Sequence, residues 1–126
     1  MILGLGTDLI GIARIAAVQA RQGRRFLDRV YTAAELEYCL AAREPAERLA
    51  ARWAAKEATM KALGTGWAKG VTFTQIELLP GLDRGAPRLL LAGAARARAD
   101  ELGAVRWLCS VSHSDGLAIA TVLIEG

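Results

Sequence analysis

The chain has 126 residues, 53% of them hydrophobic and 23% charged, with a formal net charge of +3. That length fits one domain, 1–126, with a core of its own. The mild positive charge favours acidic partners but falls short of the dense, aromatic-rich basic surface of a nucleic-acid binder, and no run approaches the roughly 18 apolar residues that span a bilayer.

Residues 2–10 read as a buried strand thinned by Gly4 and Gly6 and ending in polar Asp8; glycines in a strand often mark close approach of another backbone or a ligand. Residues 12–22 read as a helix with Ile12 and Ile15 on one face and Arg14 and Arg21 outside, followed by Arg24 and Arg25. Thr32 with Glu35 is a capping-box pattern for a helix through about Ala42. Pro45 suits the first turn of the next helix, and Gly64 is its natural stop. Residues 71–79 and 87–92 read as strands around a Pro80-Gly81…Gly85 turn, and 93–102 as a helix closing at Gly103. Residues 105–112 and 117–125 read as strands joined by Ser114-Asp115-Gly116. A strand, several helices, a hairpin, a helix and a final hairpin predict an α+β fold with a largely antiparallel sheet packed with helices.

Cys39 and Cys109 are far apart in apolar surroundings, which points to buried free thiols in a reducing compartment. The start MILGLGTDLIG lacks the basic segment and cleavage site of a signal peptide. A cytoplasmic location is expected.

Chemistry concentrates on the helix at 46–63. At about 100° per residue, Leu49, Trp53, Met60 and Leu63 form one apolar stripe. Lys56 falls inside it, where its stem would lie along apolar neighbours with the ammonium reaching solvent. Glu57 sits on one shoulder, with Lys61 a turn beyond it, and Arg52 sits on the other. Glu57 and Lys61 read either as a surface pair or as a partly desolvated metal ligand beside a cation; the helix alone does not decide. Asp8 is either a strand-end turn residue or a ligand-facing acid. His113, the only histidine, is either structural or part of a site, and Gly64-Thr65-Gly66 is either a helix stop or a backbone cradle for phosphate. A non-catalytic module that binds nucleotide or coenzyme A is a second reading, but it has no need of both Asp8 and Glu57.

Together, GLGTDLIGIARI at 4–15, RFLDRVYTAAEL at 25–36, RWAAKEATMKALGTG at 52–66 and SVSHSDGLAIATVLIE at 110–125 resemble the holo-[acyl-carrier-protein] synthases, the small phosphopantetheinyl transferases. The segments keep the family's order and spacing over essentially the whole chain. The pairing of G-T-D with W-A-A-K-E-A-x-x-K-A-L-G-T-G is the most specific element.

The resemblance implies a 4′-phosphopantetheinyl transferase-like fold. It also implies transfer of the 4′-phosphopantetheine arm of coenzyme A to a serine of acyl carrier protein, in support of fatty acid biosynthesis, with adenosine 3′,5′-bisphosphate released. A carrier domain of polyketide or peptide synthesis stays open as the acceptor. Family members are Mg²⁺-dependent homotrimers with sites between subunits. Asp8 and Glu57 fall on the family's metal ligands, and Asp8, Glu57 and Lys61 on its catalytic group. Arg52, Lys61, Gly64, Gly66 and His113 fall near the coenzyme A phosphates. Arg14, Arg21, Arg24 and Arg25 fall on the face that meets the acidic carrier. Gly11 and Ala13 depart from the family pattern, at positions that bear on partner fit rather than chemistry.

Overall fold

In the computed structural model, which describes residues 1–126, strand β1 (Ile2–Gly11) leads directly into helix α1 (Ile12–Gln22). Gly23, at φ +55°, then reverses the chain into α2 (Arg24–Val30), a seven-residue helix. No helix was expected over 24–30, because it has no side-chain cap and is too short to show a period. Helix α3 (Ala33–Leu40) starts with the expected reciprocal cap: the Thr32 hydroxyl accepts from the Glu35 amide, and Glu35 accepts from the Thr32 amide at 2.9 Å.

Helix α4 (Pro45–Leu63) begins at proline, whose missing N–H costs nothing in a first turn, and ends at Gly64 in the left-handed conformation. The strand expected over 71–79 is shorter. Thr72 and Gln75 form a second reciprocal cap that winds Phe73–Gln75 into a 3₁₀ turn, leaving β2 as Ile76–Leu79. Strand β3 (Arg88–Leu91) pairs with β2, and α5 (Gly93–Glu101), β4 (Arg106–Ser114) and β5 (Leu117–Glu125) complete the chain. Asp115 and Gly116 both take positive φ between paired Ser114 and Leu117, the two-residue turn that matches strand twist.

The two sheets are wholly antiparallel: β1-β5-β4 in that order, and the β2-β3 hairpin. This is the α+β arrangement the sequence predicts. No helix is long and apolar enough to cross a membrane.

Helix α4 is the centre of the molecule. Its buried surface is far wider than the predicted stripe, because Ala50, Ala51, Ala54, Ala55, Ala58 and Ala62 are buried as well. Short side chains let the sheet come close. Ala118 and Ala120 of β5 face the helix, and the glycines of β1 remove the last barrier. A methyl group on Gly4 would stand 2.1 Å from the Ala62 carbonyl oxygen, and one on Gly6 would stand 1.9 Å from that of Ala58.

On the far side of α4 the expectation for Lys56 fails. Its ammonium does not reach solvent; Lys56 and Glu35 are both fully buried, with Nζ 2.7 Å from a Glu35 carboxylate oxygen. Burial pulls the Lys56 ammonium down from its ordinary pKa, and Glu35 opposes that. Cys39 and Cys109 are buried free thiols, and burial pushes each up to about 11.

Gly6→Ala should therefore destabilise the protein by about 3 kcal/mol, the upper end of overpacking costs. Thermal unfolding checks this; a wild-type melting temperature would mean that β1 does not lie this close to α4.

Candidate functional site

Strand alternation puts Gly4, Gly6 and Asp8 on the same face of β1, against α4. Asp8 lies two residues beyond the closest contact, and its side chain is only 17% exposed. Opposite it, Lys61 of α4 reaches across: its Nζ is 3.2 Å from Asp8 Oδ1 and donates to the Thr7 carbonyl at 2.9 Å. Glu57 lies one helical turn before Lys61 on the same face. Its pKa is raised, first by burial and then by the charge of Asp8; the Lys61 ammonium and the Trp67 indole N–H pull the other way. Asp8, Glu57 and Lys61 thus form one cluster, two carboxylates and one ammonium at the edge of the core.

A hard divalent cation suits this donor set. Two like charges close enough to raise one pKa would be relieved by a positive ion, and both donors are carboxylates. No group of three or more His, Cys, Asp or Glu side chains is assembled anywhere to hold a metal. A cation here would complete its shell from water and substrate oxygens, the habit of Mg²⁺.

The remaining predicted residues lie elsewhere. Arg52 projects about 140° around α4 from Glu57. It is buried, its Nε donates to the Leu78 carbonyl at 3.3 Å, and its guanidinium lies 4.5 Å from the Tyr38 ring centre. The structure does not bring it to the acidic cluster. His113 projects from β4 toward the first turns of α4, with Nε2 3.1 Å from a Glu47 carboxylate oxygen.

Gly64 and Gly66 both take positive φ, but the amides of Gly64, Thr65 and Gly66 all bond back to Lys61 and Met60. Within this chain the turn is a helix stop and those N–H groups are spent. Arg14, Arg21, Arg24 and Arg25 are exposed on α1 and α2, with Arg24 paired to Asp28 at 2.8 Å.

Two residues, one beside the cluster and one at the end of α4, were not anticipated. Trp67, just past the glycine turn, contacts Glu57 and packs edge-on against Phe73 at 5.5 Å. It also walls an apolar cavity of about 560 Å³ between α1, α2 and α4, bounded by Ile10, Met60, Arg14 and Arg29. An aromatic exposed beside a glycine turn was its only visible signal. Arg98 of α5 donates from Nε to the Leu63 carbonyl at 3.0 Å, closing the end of α4; nothing local in the sequence marks it.

The family model described as the 4′-phosphopantetheinyl transferase superfamily matches residues 4–122. The holo-[acyl-carrier-protein] synthase of Solidesulfovibrio magneticus is 48% identical over 126 residues, covering 100% of both chains. That of Gloeobacter violaceus is 47% identical over 123 residues, 97% of this chain and 92% of its own. The crystal structure of the Neisseria meningitidis holo-[acyl-carrier-protein] synthase matches with a TM-score of 0.90 at 34% identity, covering 100% of both chains. The Helicobacter pylori synthase in complex with coenzyme A matches with a TM-score of 0.83 at 30% identity, covering 96% of this chain and 99% of that one.

Fold and sequence therefore define a transferase of the 4′-phosphopantetheinyl transferase superfamily. Within that superfamily the chain belongs to the holo-[acyl-carrier-protein] synthase family.

The Glu57 shift has a direct check. In the metal-free protein, carboxyl NMR should show Glu57 titrating above the ordinary glutamate range, and Asp8→Asn should lower that value by removing a like charge. An unchanged Glu57 pKa in the variant would separate the two carboxylates and dissolve the cluster.

Proposed function

We propose that the chain, as one domain over 1–126, transfers the 4′-phosphopantetheine group of coenzyme A to a serine hydroxyl of apo acyl carrier protein. The observation that carries this is the Asp8–Glu57–Lys61 cluster held across β1 and α4. Asp8 and Glu57 would hold Mg²⁺, which when bound would neutralise charge on the coenzyme A diphosphate. Lys61 adds a half-exposed ammonium on the same side, where the leaving adenosine 3′,5′-bisphosphate gathers negative charge. The serine oxygen forms a bond to the β-phosphorus, and the bond from that phosphorus to the bridging oxygen breaks. The serine proton goes to the Glu57 carboxylate, directly or through a water it orients.

The assembly reading is a homotrimer with sites between subunits. The outer face of β1-β5-β4 exposes Leu5 and Leu108 at one end and Leu9, Leu117 and Ile119 at the other, two apolar patches on either side of a Thr7–Thr121–Ser110 row. The position of His113 supports composite sites. Its partner Glu47 lies ten residues before Glu57 on α4, about 15 Å along the helix. His113 therefore fits the coenzyme A phosphates bound at a neighbour's acidic cluster better than those bound at its own, whereas Arg52 would reach a phosphate only by leaving Leu78 and Tyr38. Gly64 and Gly66 contribute shape at that site, since their amides are committed to α4.

Arg14, Arg21, Arg24 and Arg25 make the face for the acidic carrier, steering its approach. The apolar cavity behind Trp67 opens beside that face at Arg14 and Arg29 and gives the pantetheine arm room next to it. The loaded carrier serves fatty acid biosynthesis in the cytoplasm, and no nucleic acid or membrane takes part.

Intact-mass spectrometry tests this with apo acyl carrier protein and coenzyme A. The carrier should gain the mass of one phosphopantetheine arm with Mg²⁺ and none with EDTA. Glu57→Gln should cut turnover by about 100-fold or more while the melting temperature stays near wild type. No gain while coenzyme A binds would leave a binding module instead.

A further inference from the structure

The buried Glu35–Lys56 pair takes no part in the chemistry above, yet Lys56 is the residue immediately before Glu57. We infer that Glu35 and Lys56 are positioning residues, which set the rotation of α4 and the wall beside Glu57 and so hold the metal-ligating carboxylate in register. This inference rests on the functional reading just given.

Two routes lead from the pair to the site. The first runs through the helix. Lys56 Nζ pairs with Glu35 at 2.7 Å, donates to the Phe73 carbonyl at 2.9 Å and also donates to the Ile76 carbonyl. Glu35 in turn accepts from the Thr32 amide at 2.9 Å and the Leu78 amide at 3.0 Å. One side chain of α4 is thereby tied to the start of α3, to the 3₁₀ turn and to β2. Successive helical residues point about 100° apart, so fixing Lys56 inward fixes Glu57 toward β1. A helix rotated by about 20° would carry a carboxylate ~6 Å from the axis through about 2 Å.

The second route runs through the wall. The backbone carbonyl that Lys56 holds is that of Phe73, whose ring stacks on Trp53 at 4.9 Å and stands edge-on to Trp67 at 5.5 Å. Trp67 is the residue whose indole N–H faces Glu57. The pair therefore governs Glu57 from its own helix and from the opposite loop.

A purely structural pair makes a different prediction. Apolar or neutral replacement of both members of a buried ion pair tends to preserve stability, whereas removing one strands a charge. The variants are Lys56→Met, Glu35→Gln and the double variant, each studied below its own melting temperature. Lys56→Met should melt lowest, and adding Glu35→Gln should recover much of that loss. Activity should not follow. In the double variant kcat should stay about 10- to 100-fold below wild type, with the KM for coenzyme A within about twofold. Mn²⁺ binding, counted by electron paramagnetic resonance with coenzyme A and no carrier, should weaken about tenfold or more.

Should the double variant fail to fold, Glu35→Gln alone carries the test, because Lys56 keeps its bonds to Phe73 and Ile76. It should lose Mn²⁺ affinity and kcat in the same direction, by a smaller factor. Wild-type kcat and Mn²⁺ affinity in a folded variant without the ion pair would overturn the inference and leave the pair structural. A wild-type protein with neither transfer nor Mn²⁺ binding would instead overturn the functional reading, and this inference with it.

Discussion

Direct contact between the backbone of β1 and helix α4 is the constraint on which the rest depends. Gly4 and Gly6 leave no room for even a methyl group against the Ala62 and Ala58 carbonyls. Because the strand runs on from there without interruption, Asp8 arrives beside Lys61 with a short, fixed gap between the two elements. A larger residue at either glycine would lift β1 away and move Asp8 with it. The same logic explains the alanines: Ala58 and Ala62 on the helix and Ala118 and Ala120 on β5 are what close approach permits.

That choice has an energetic consequence. Small side chains bury little apolar area each, so the contact between sheet and helix contributes position more than stability. Larger residues elsewhere supply the bulk, among them Leu49, Leu63, Ile76, Leu78 and Ile124, with Phe26 set edge-on to Tyr31. The site stays electrostatically unsettled. Two carboxylates share one ammonium that is itself half-exposed, and Glu57 resists ionisation. A cluster of this kind costs folding energy that a bound cation and a bound diphosphate would return as binding.

Much of this was legible in the sequence, and the boundary is instructive. Local signals were reliable: the Thr32–Glu35 cap, Pro45 and Gly64 at the ends of α4, and the Asp115-Gly116 turn each need only neighbours along the chain. Helical spacing pairs Glu57 with Lys61, but the glycines of β1 left Asp8 open as a turn residue or a ligand-facing acid, and only the family resemblance joined it to them. Residues governed by tertiary partners were not. Lys56 sits in an apolar stripe by periodicity, but its partner Glu35 lies 21 positions earlier and was already assigned to a cap. Arg52 likewise turns to Tyr38 and Leu78, which no local pattern reveals. The alanine surface of α4 was underread because alanine barely registers in an apolar projection, yet it is what a glycine-thinned strand packs against. Strand 71–79 lost its first half to a second cap, Thr72–Gln75, that β-propensity concealed.

The account turns on Asp8 and Glu57 sharing one cation. Crystals grown with Mn²⁺ and coenzyme A, with diffraction collected at the manganese edge, test that most directly. The account predicts one anomalous peak per subunit within bonding distance of both carboxylates, with a coenzyme A phosphate oxygen on the same ion. A peak on one carboxylate alone, or at a site that includes neither, would contradict it.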